Sequence, residues 1–245
     1  MLGKWFKKQH HRFYVAMVAL CFLPYWPILL IWARNPERNY RKLVRARRQI
    51  ARLSSTLAGF RYIVQEEEKI DWSKLYILCP NHTSNLDITA MTLVCQSDFS
   101  FVGKDELLSN PVTGLFFRAI DIPVNRESKI SAFRAFKRAS ECLDKGRSVV
   151  IFPEGKIGSD YPPQLCPFKI GPFRMAAEKN IPIIPVVIQN AWELHWDNGA
   201  KYGSNPGTIR IDVLKPMYPS GQDPQAAEEL KDQVYSILNK RWSKL

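Results

Sequence analysis

A histidine and an aspartate five positions apart, His82 and Asp87, close an apolar run in Pro80-Asn81-His82-Thr83-Ser84-Asn85-Leu86-Asp87. A tight turn from a strand into a helix brings such a carboxylate onto one imidazole nitrogen and leaves the other facing outward. The carboxylate then holds the tautomer and stabilises the imidazolium, which suits the histidine to act as general base toward a hydroxyl. That scheme needs no nucleophile from the protein where a substrate hydroxyl is itself the attacking group. The oxyanion of that attack is expected to meet backbone donors near the same loop. The spacing alone is a weak signal, since Asp87 would also serve as a helix N-cap and His82 as a turn residue. A competing chemistry makes Ser84 or Cys79 the nucleophile of a hydrolase, although the G-x-S-x-G elbow is missing. The five cysteines form no C-x-x-C pair and their odd number points to reduced thiols. The four histidines lack a metal-like partner set, so neither metal nor cofactor is expected.

Holding that pair requires a strand before it and a helix after it, and the pattern from about Phe60 onward supplies both. Phe60–Val64, Leu75–Cys79, Ser148–Phe152, Ile183–Ile188 and Thr208–Leu214 read as strands. Ile88–Val94, Ile130–Leu143 and Pro172–Lys179 read as the helices between them, and Asp223 with Pro224 signals a last helix running to Trp242. The fold class is therefore α/β, with a central mixed sheet flanked by helices.

The N-terminal quarter differs in kind. Of the formal charge of +12, all the excess lies in residues 1–61, which hold 13 Lys and Arg against Glu37 alone. Within it, Phe13–Ala33 carries no charge and spans about 31 Å as a helix, close to a bilayer's hydrocarbon thickness. Basic residues flank both ends, Pro24 and Pro27 interrupt the run and no cleavage site follows, which fits a re-entrant or shallow helix at least as well as a spanning one and disfavours a secretory signal. Pro36–Leu57 reads as an amphipathic helix. Tyr40, Leu43, Val44, Ile50, Leu53 and Leu57 take one side, and Arg38, Arg41, Arg45, Arg48 and Arg52 the other. A basic face beside an apolar anchor suits anionic head groups, whereas no basic stripe with interleaved aromatics points to nucleic acid. The expected division is residues 1–59 as membrane-anchoring helices and 60–245 as a catalytic domain.

Four segments in sequence order sharpen the reading: Asn81-His82-x-Ser84-x-x-Asp87, Ile122-Pro123-Val124-Asn125-Arg126, Phe152-Pro153-Glu154-Gly155 and Ile181-Pro182-Ile183-Ile184-Pro185-Val186. Together they resemble the signature blocks of the glycerolipid acyltransferases, closest to the bacterial 1-acylglycerol-3-phosphate acyltransferases. The resemblance covers about residues 60–215, and the N-terminal helices are similar to a two-helix membrane motif of bacterial members. It implies His82 and Asp87 as the catalytic pair and Arg126, Glu154 and Gly155 in the acceptor region. Lys104 in Gly103-Lys104-Asp105-Glu106-Leu107 resembles a position that binds the acceptor's phosphate. The partners it implies are a lysophospholipid acceptor and an acyl-CoA or acyl-carrier-protein donor, at an anionic membrane on the cytoplasmic face of a bacterial inner membrane. One departure stands out: the third block of the family continues Thr-Arg-Ser, and this chain has Lys156-Ile157-Gly158. Lys156 or Lys169 would replace the arginine as a point charge without its bidentate fork. That change bears on which lysolipid is accepted more than on the reaction.

Overall fold

Short β-branched runs alternating with helix-forming segments resolve into one seven-stranded sheet in the computed structural model, which describes residues 2–243. The strands are β1 Phe60–Glu66, β2 Ile77–Pro80, β3 Phe99–Lys104, β4 Ile122–Val124, β5 Ser148–Ile151, β6 Ile183–Ile188 and β7 Gly207–Val213, in spatial order β1-β7-β6-β2-β5-β3-β4. Neighbours run parallel except β6 and β7, so the sheet is mixed, as expected. The period-2 alternation of a strand sorts side chains to two cores. Leu78, Ile184 and Val186 face one, and Ile77, Cys79, Ile183 and Val187 the other.

Helices α3 Pro36–Leu57, α4 Leu86–Val94 and α5 Thr113–Ala119 cover the first face; α6 Lys129–Asp144, α7 Gly171–Lys179 and α9 Pro224–Trp242 cover the second. A short α8, Ala191–Leu194, follows β6. The expected cap of α9 is present, with Ala226 N donating to Asp223 Oδ1 at 2.8 Å. Four elements went unread in the sequence: β3, α5, β4 and α8.

The N-terminal helix begins earlier than Phe13. Helix α1 spans Leu2–Phe22, a 3-10 turn at Leu23–Tyr25 absorbs Pro24, and α2 spans Trp26–Ala33. By length and composition the stretch Leu2–Ala33 is sufficient to cross a membrane. Its exposed face carries Leu2, Trp5, Phe6, Phe13, Leu20 and Leu23.

Helix α3 corrects the sequence reading in two ways. Tyr40, Leu43, Val44 and Ile50 are buried against the sheet and α1, but Leu53 and Leu57 are exposed. Arg47, on the apolar side, enters the core instead. Its Nη1 donates to both Asp121 oxygens at 2.7 and 2.9 Å, Nη2 donates to Phe99 O, and the guanidinium lies 4.3 Å from the Phe99 ring centroid. A buried pair of this kind is tolerated because it is bidentate and further hydrogen-bonded.

Candidate active site

The loop from β2 to α4 is fixed at both ends before any chemistry is considered. Asn81 Nδ2 donates to Ile188 O at 3.2 Å and its Oδ1 accepts Ile188 N at 2.7 Å, which ties the loop to the end of β6. Asp87 sits in the first turn of α4, wholly buried, and folds back on the loop. Its Oδ2 accepts Thr83 N at 2.6 Å and Ser84 N at 2.8 Å and lies 3.1 Å from His82 Nδ1. Its Oδ1 has no partner among the described residues. Two backbone amides and the imidazole thus converge on one carboxylate oxygen at a helix N-terminus. His82 stacks on Phe152, ring centroids 4.0 Å apart, so the imidazole is fixed in plane as well as in tautomer. Its Nε2 makes no protein hydrogen bond among the described residues, and the side chain lines a cavity of about 340 Å³.

Glu154 turns out to face inward. Oε1 accepts His82 N and Oε2 accepts Cys166 N, each at 2.7 Å, so the carboxylate clamps the His82 loop to the 165–167 segment instead of offering an oxygen to a ligand. Burial pushes its carboxyl up to about 7, against the pull of those two amides. Gly155 follows at φ 71°, a conformation favouring glycine.

The expected backbone donors for an oxyanion are not free in this loop. The amides of His82, Thr83 and Ser84 bond carboxylates; Asn85 N donates to Asp197 O, Leu86 N to Ser84 Oγ and Asp87 N to Ser84 O. Each was already needed to shape the turn. The donors at the cavity wall are instead the cationic side chains Lys104, Arg126 and Lys156.

Those three reach two spaces. One side of the His82 cavity is apolar, with Ile88, Phe101, Leu107, Phe116 and Phe117, and ends at the Arg47–Asp121 pair. On the other side Lys104, Arg126 and Lys156 also border a polar space of about 630 Å³, joined there by Glu154, Gly155 and Lys169. Of the seven residues singled out in the sequence, six line one or both of these cavities, and the seventh, the buried Asp87, reaches them only through His82.

Neither hydrolase nucleophile is placed for attack. Cys79 is fully buried in the second core, and burial raises its thiol. Ser84 is buried, donates its hydroxyl to His195 O and accepts Leu86 N. His195 is an unforeseen support of the loop. It lies 3.4 Å from Ser84 Oγ through Nδ1, and burial, with His11 nearby, pushes it down to about 4. His10 likewise bonds Ser204 Oγ and Ala58 O, tying α1 to the segment before β7 and to the end of α3. Nothing in the one-dimensional pattern distinguishes these histidines from surface ones.

Among known proteins, the chain is similar to several acyltransferases. The chain is 31% identical over 160 residues to a chloroplastic 1-acyl-sn-glycerol-3-phosphate acyltransferase of Brassica napus, matching 65% of this chain but only 45% of that protein. It is 28% identical to the 1-acyl-sn-glycerol-3-phosphate acyltransferase of Pseudomonas aeruginosa, over 79% of this chain and 73% of the other. The crystal structure of the 1-acyl-sn-glycerophosphate (LPA) acyltransferase PlsC from Thermotoga maritima shares the fold, with a TM-score of 0.79 at 20% identity over 98% of this chain and 97% of that one. Residues 61–189, from β1 to the end of β6, match the model of the Acyltransferase family, and with the His82 loop at their centre the chain belongs to that family.

Proposed function

We propose that this acyltransferase moves a fatty acyl group from acyl-CoA or acyl-carrier protein to the sn-2 hydroxyl of 1-acylglycerol-3-phosphate, forming phosphatidate. The observation that carries the reading is the junction, beside a His82 Nε2 with no partner among the described residues, of a cavity with an apolar wall and a polar one in which Lys104, Arg126, Lys156 and Lys169 stand among Asp105, Glu106, Glu127 and Glu154. An acyl chain suits the first and a glycerophosphate the second, where Lys104, Arg126, Lys156 and Lys169 supply charge-assisted bonds to phosphate oxygens.

His82 Nε2 takes the proton of the acceptor hydroxyl, and Asp87 keeps Nδ1–H in place and balances the imidazolium. The hydroxyl oxygen bonds to the thioester carbon, and the tetrahedral oxyanion is met by the cations of the cavity wall. Collapse breaks the carbon–sulfur bond, and the thiolate leaves with the proton held by His82. Residues 1–59 attach the catalytic residues 60–245 to an anionic membrane, on the cytoplasmic face of a bacterial inner membrane. The exposed apolar face of α1 and the basic excess of residues 1–61 support that attachment.

Purified protein is to be incubated with lysophosphatidate and either donor, and the products identified by mass spectrometry. Phosphatidate is expected, with kcat reduced by roughly 10²- to 10⁴-fold in His82→Ala and Asp87→Asn. Wild-type rates in either variant, or free fatty acid as the sole product, refute the assignment.

A further inference from the structure

Four aromatic rings gather where the loops that precede α7 and β7 meet helix α8. Tyr161 lies 4.6 Å from Tyr202, 5.6 Å from Trp192 and 5.8 Å from Trp196, ring centroid to centroid. The Lys201 ammonium sits 5.1 Å from the Tyr202 centroid and 5.4 Å from that of Trp196. Trp196 is buried beneath the group, while Tyr161 and Tyr202 stand exposed at 48% and 36%. None of the four lines the cavities around His82.

This patch is built onto helix α1. Ser204 N donates to Lys7 O at 2.9 Å, His10 Nδ1 lies 2.7 Å from Ser204 Oγ, and Gly203 is so close that a Cβ there would stand 2.4 Å from Lys7 O. The adjoining turns of α1 expose Leu2, Trp5 and Phe6, with Lys4 and Lys8 beside them. The loop that carries Lys201 and Tyr202 therefore sits on the same turns of α1 that carry the apolar and basic surface already assigned to lipid. Tyrosines that pair an apolar ring with a polar tip, flanked by lysine, have the composition that settles at the head-group level of a bilayer.

We propose that Tyr161, Tyr202 and Lys201 form a second lipid contact, seated at the head groups of an anionic bilayer beside the first turns of α1. The inference rests on the membrane attachment proposed above. The same two loops carry Ile157 and Asp197, which line the His82 cavity, so their seating holds the cavity's rim against the lipid surface.

The test compares full-length wild type with Tyr161→Ser/Tyr202→Ser in sedimentation with phosphatidylglycerol-containing vesicles. Turnover is measured with a long-chain lysophosphatidate embedded in those vesicles and with a short-chain one dissolved as monomer. The double variant is expected to lose about tenfold in vesicle partition and in turnover of the embedded acceptor, while the dissolved acceptor is used within about twofold of wild type. Tyr161→Trp/Tyr202→Trp is expected to keep binding. Wild-type partition of the serine variant overturns the proposal and leaves the patch to a protein partner; an equal loss on the dissolved acceptor overturns it in favour of a role inside the site. Wild type that fails to sediment refutes the membrane attachment and this contact together. Wild type that binds vesicles but turns over neither acceptor refutes the acyl-transfer reading alone, and the partition comparison still decides the contact.

Discussion

Glu154 shows how one residue can look like a ligand in the sequence and act as a clamp in the structure. Its place in Phe152-Pro153-Glu154-Gly155 marks it for attention, but the spacing does not reveal that Cys166 N and His82 N will converge on it. With the carboxyl raised to about 7 by burial, the folded state holds a proton that an unfolded chain releases at its ordinary value near 4.5. The stability from this group is therefore fully present below about pH 4.5 and lost as pH rises through about 7. Urea unfolding at pH 5 and pH 8 is expected to show wild type losing ground to Glu154→Gln across that window, by an amount on the order of a few kcal/mol. A gap independent of pH refutes the raised value. His82 and Asp87, by contrast, were legible, because their partnership is local: five residues and one helix start contain it.

Between elements, the Arg47–Asp121 pair joins α3 to the strand side of the molecule, since Asp121 Oδ1 also accepts Phe101 N at 2.9 Å. Arg47→Met leaves a buried carboxylate without its counter-charge and is expected to cost about 3–5 kcal/mol in urea unfolding, with Arg47→Met/Asp121→Leu recovering a large part. Equal losses in the single and double variants contradict this. A signal for Arg47 existed, a lone cation at the i+4 position between Leu43 and Ile50 on the apolar side of α3. The partner Asp121 had none, because the elements around it read poorly. Strand β4 has three residues and contains Pro123, acceptable only because it is the sheet's edge. Helix α5 contains Gly114, which reads as a breaker. A Cβ there would stand 2.4 Å from Leu108 O, so the close approach demands glycine. Gly103, next to last in β3, is also closely approached, with Phe117 Cζ 2.7 Å from where its Cβ would lie. Packing selected small residues at those points, and local pattern records them as loops. Strand β6 was legible as a continuous apolar run, and α6 and α9 as amphipathic segments, α9 with an N-cap signal as well.

For the molecule as a whole, the division of charge is the feature with consequences beyond any single contact. Residues 62–245 carry 22 cations and 22 anions, so attraction to an anionic surface comes from the first quarter of the chain. Raising NaCl from about 0.05 to about 0.5 M shortens the Debye length and is expected to reduce partition onto phosphatidylglycerol vesicles by about tenfold or more, with little change on neutral vesicles. Sedimentation measures both, and a loss of the same size on neutral vesicles refutes an electrostatic share in binding.

Strand β1 enters the sheet only through β7, with Phe60 opposite Gly207, and the loop that receives α1 lies just before β7. During translation α1 and its neighbour α3 emerge well before Gly203 and Ser204, which also seat α1. At ordinary elongation rates the nascent chain waits on the order of ten seconds for them. On the membrane attachment proposed above, the bilayer shelters Trp5, Phe13 and Leu20 throughout that interval, and insertion precedes docking.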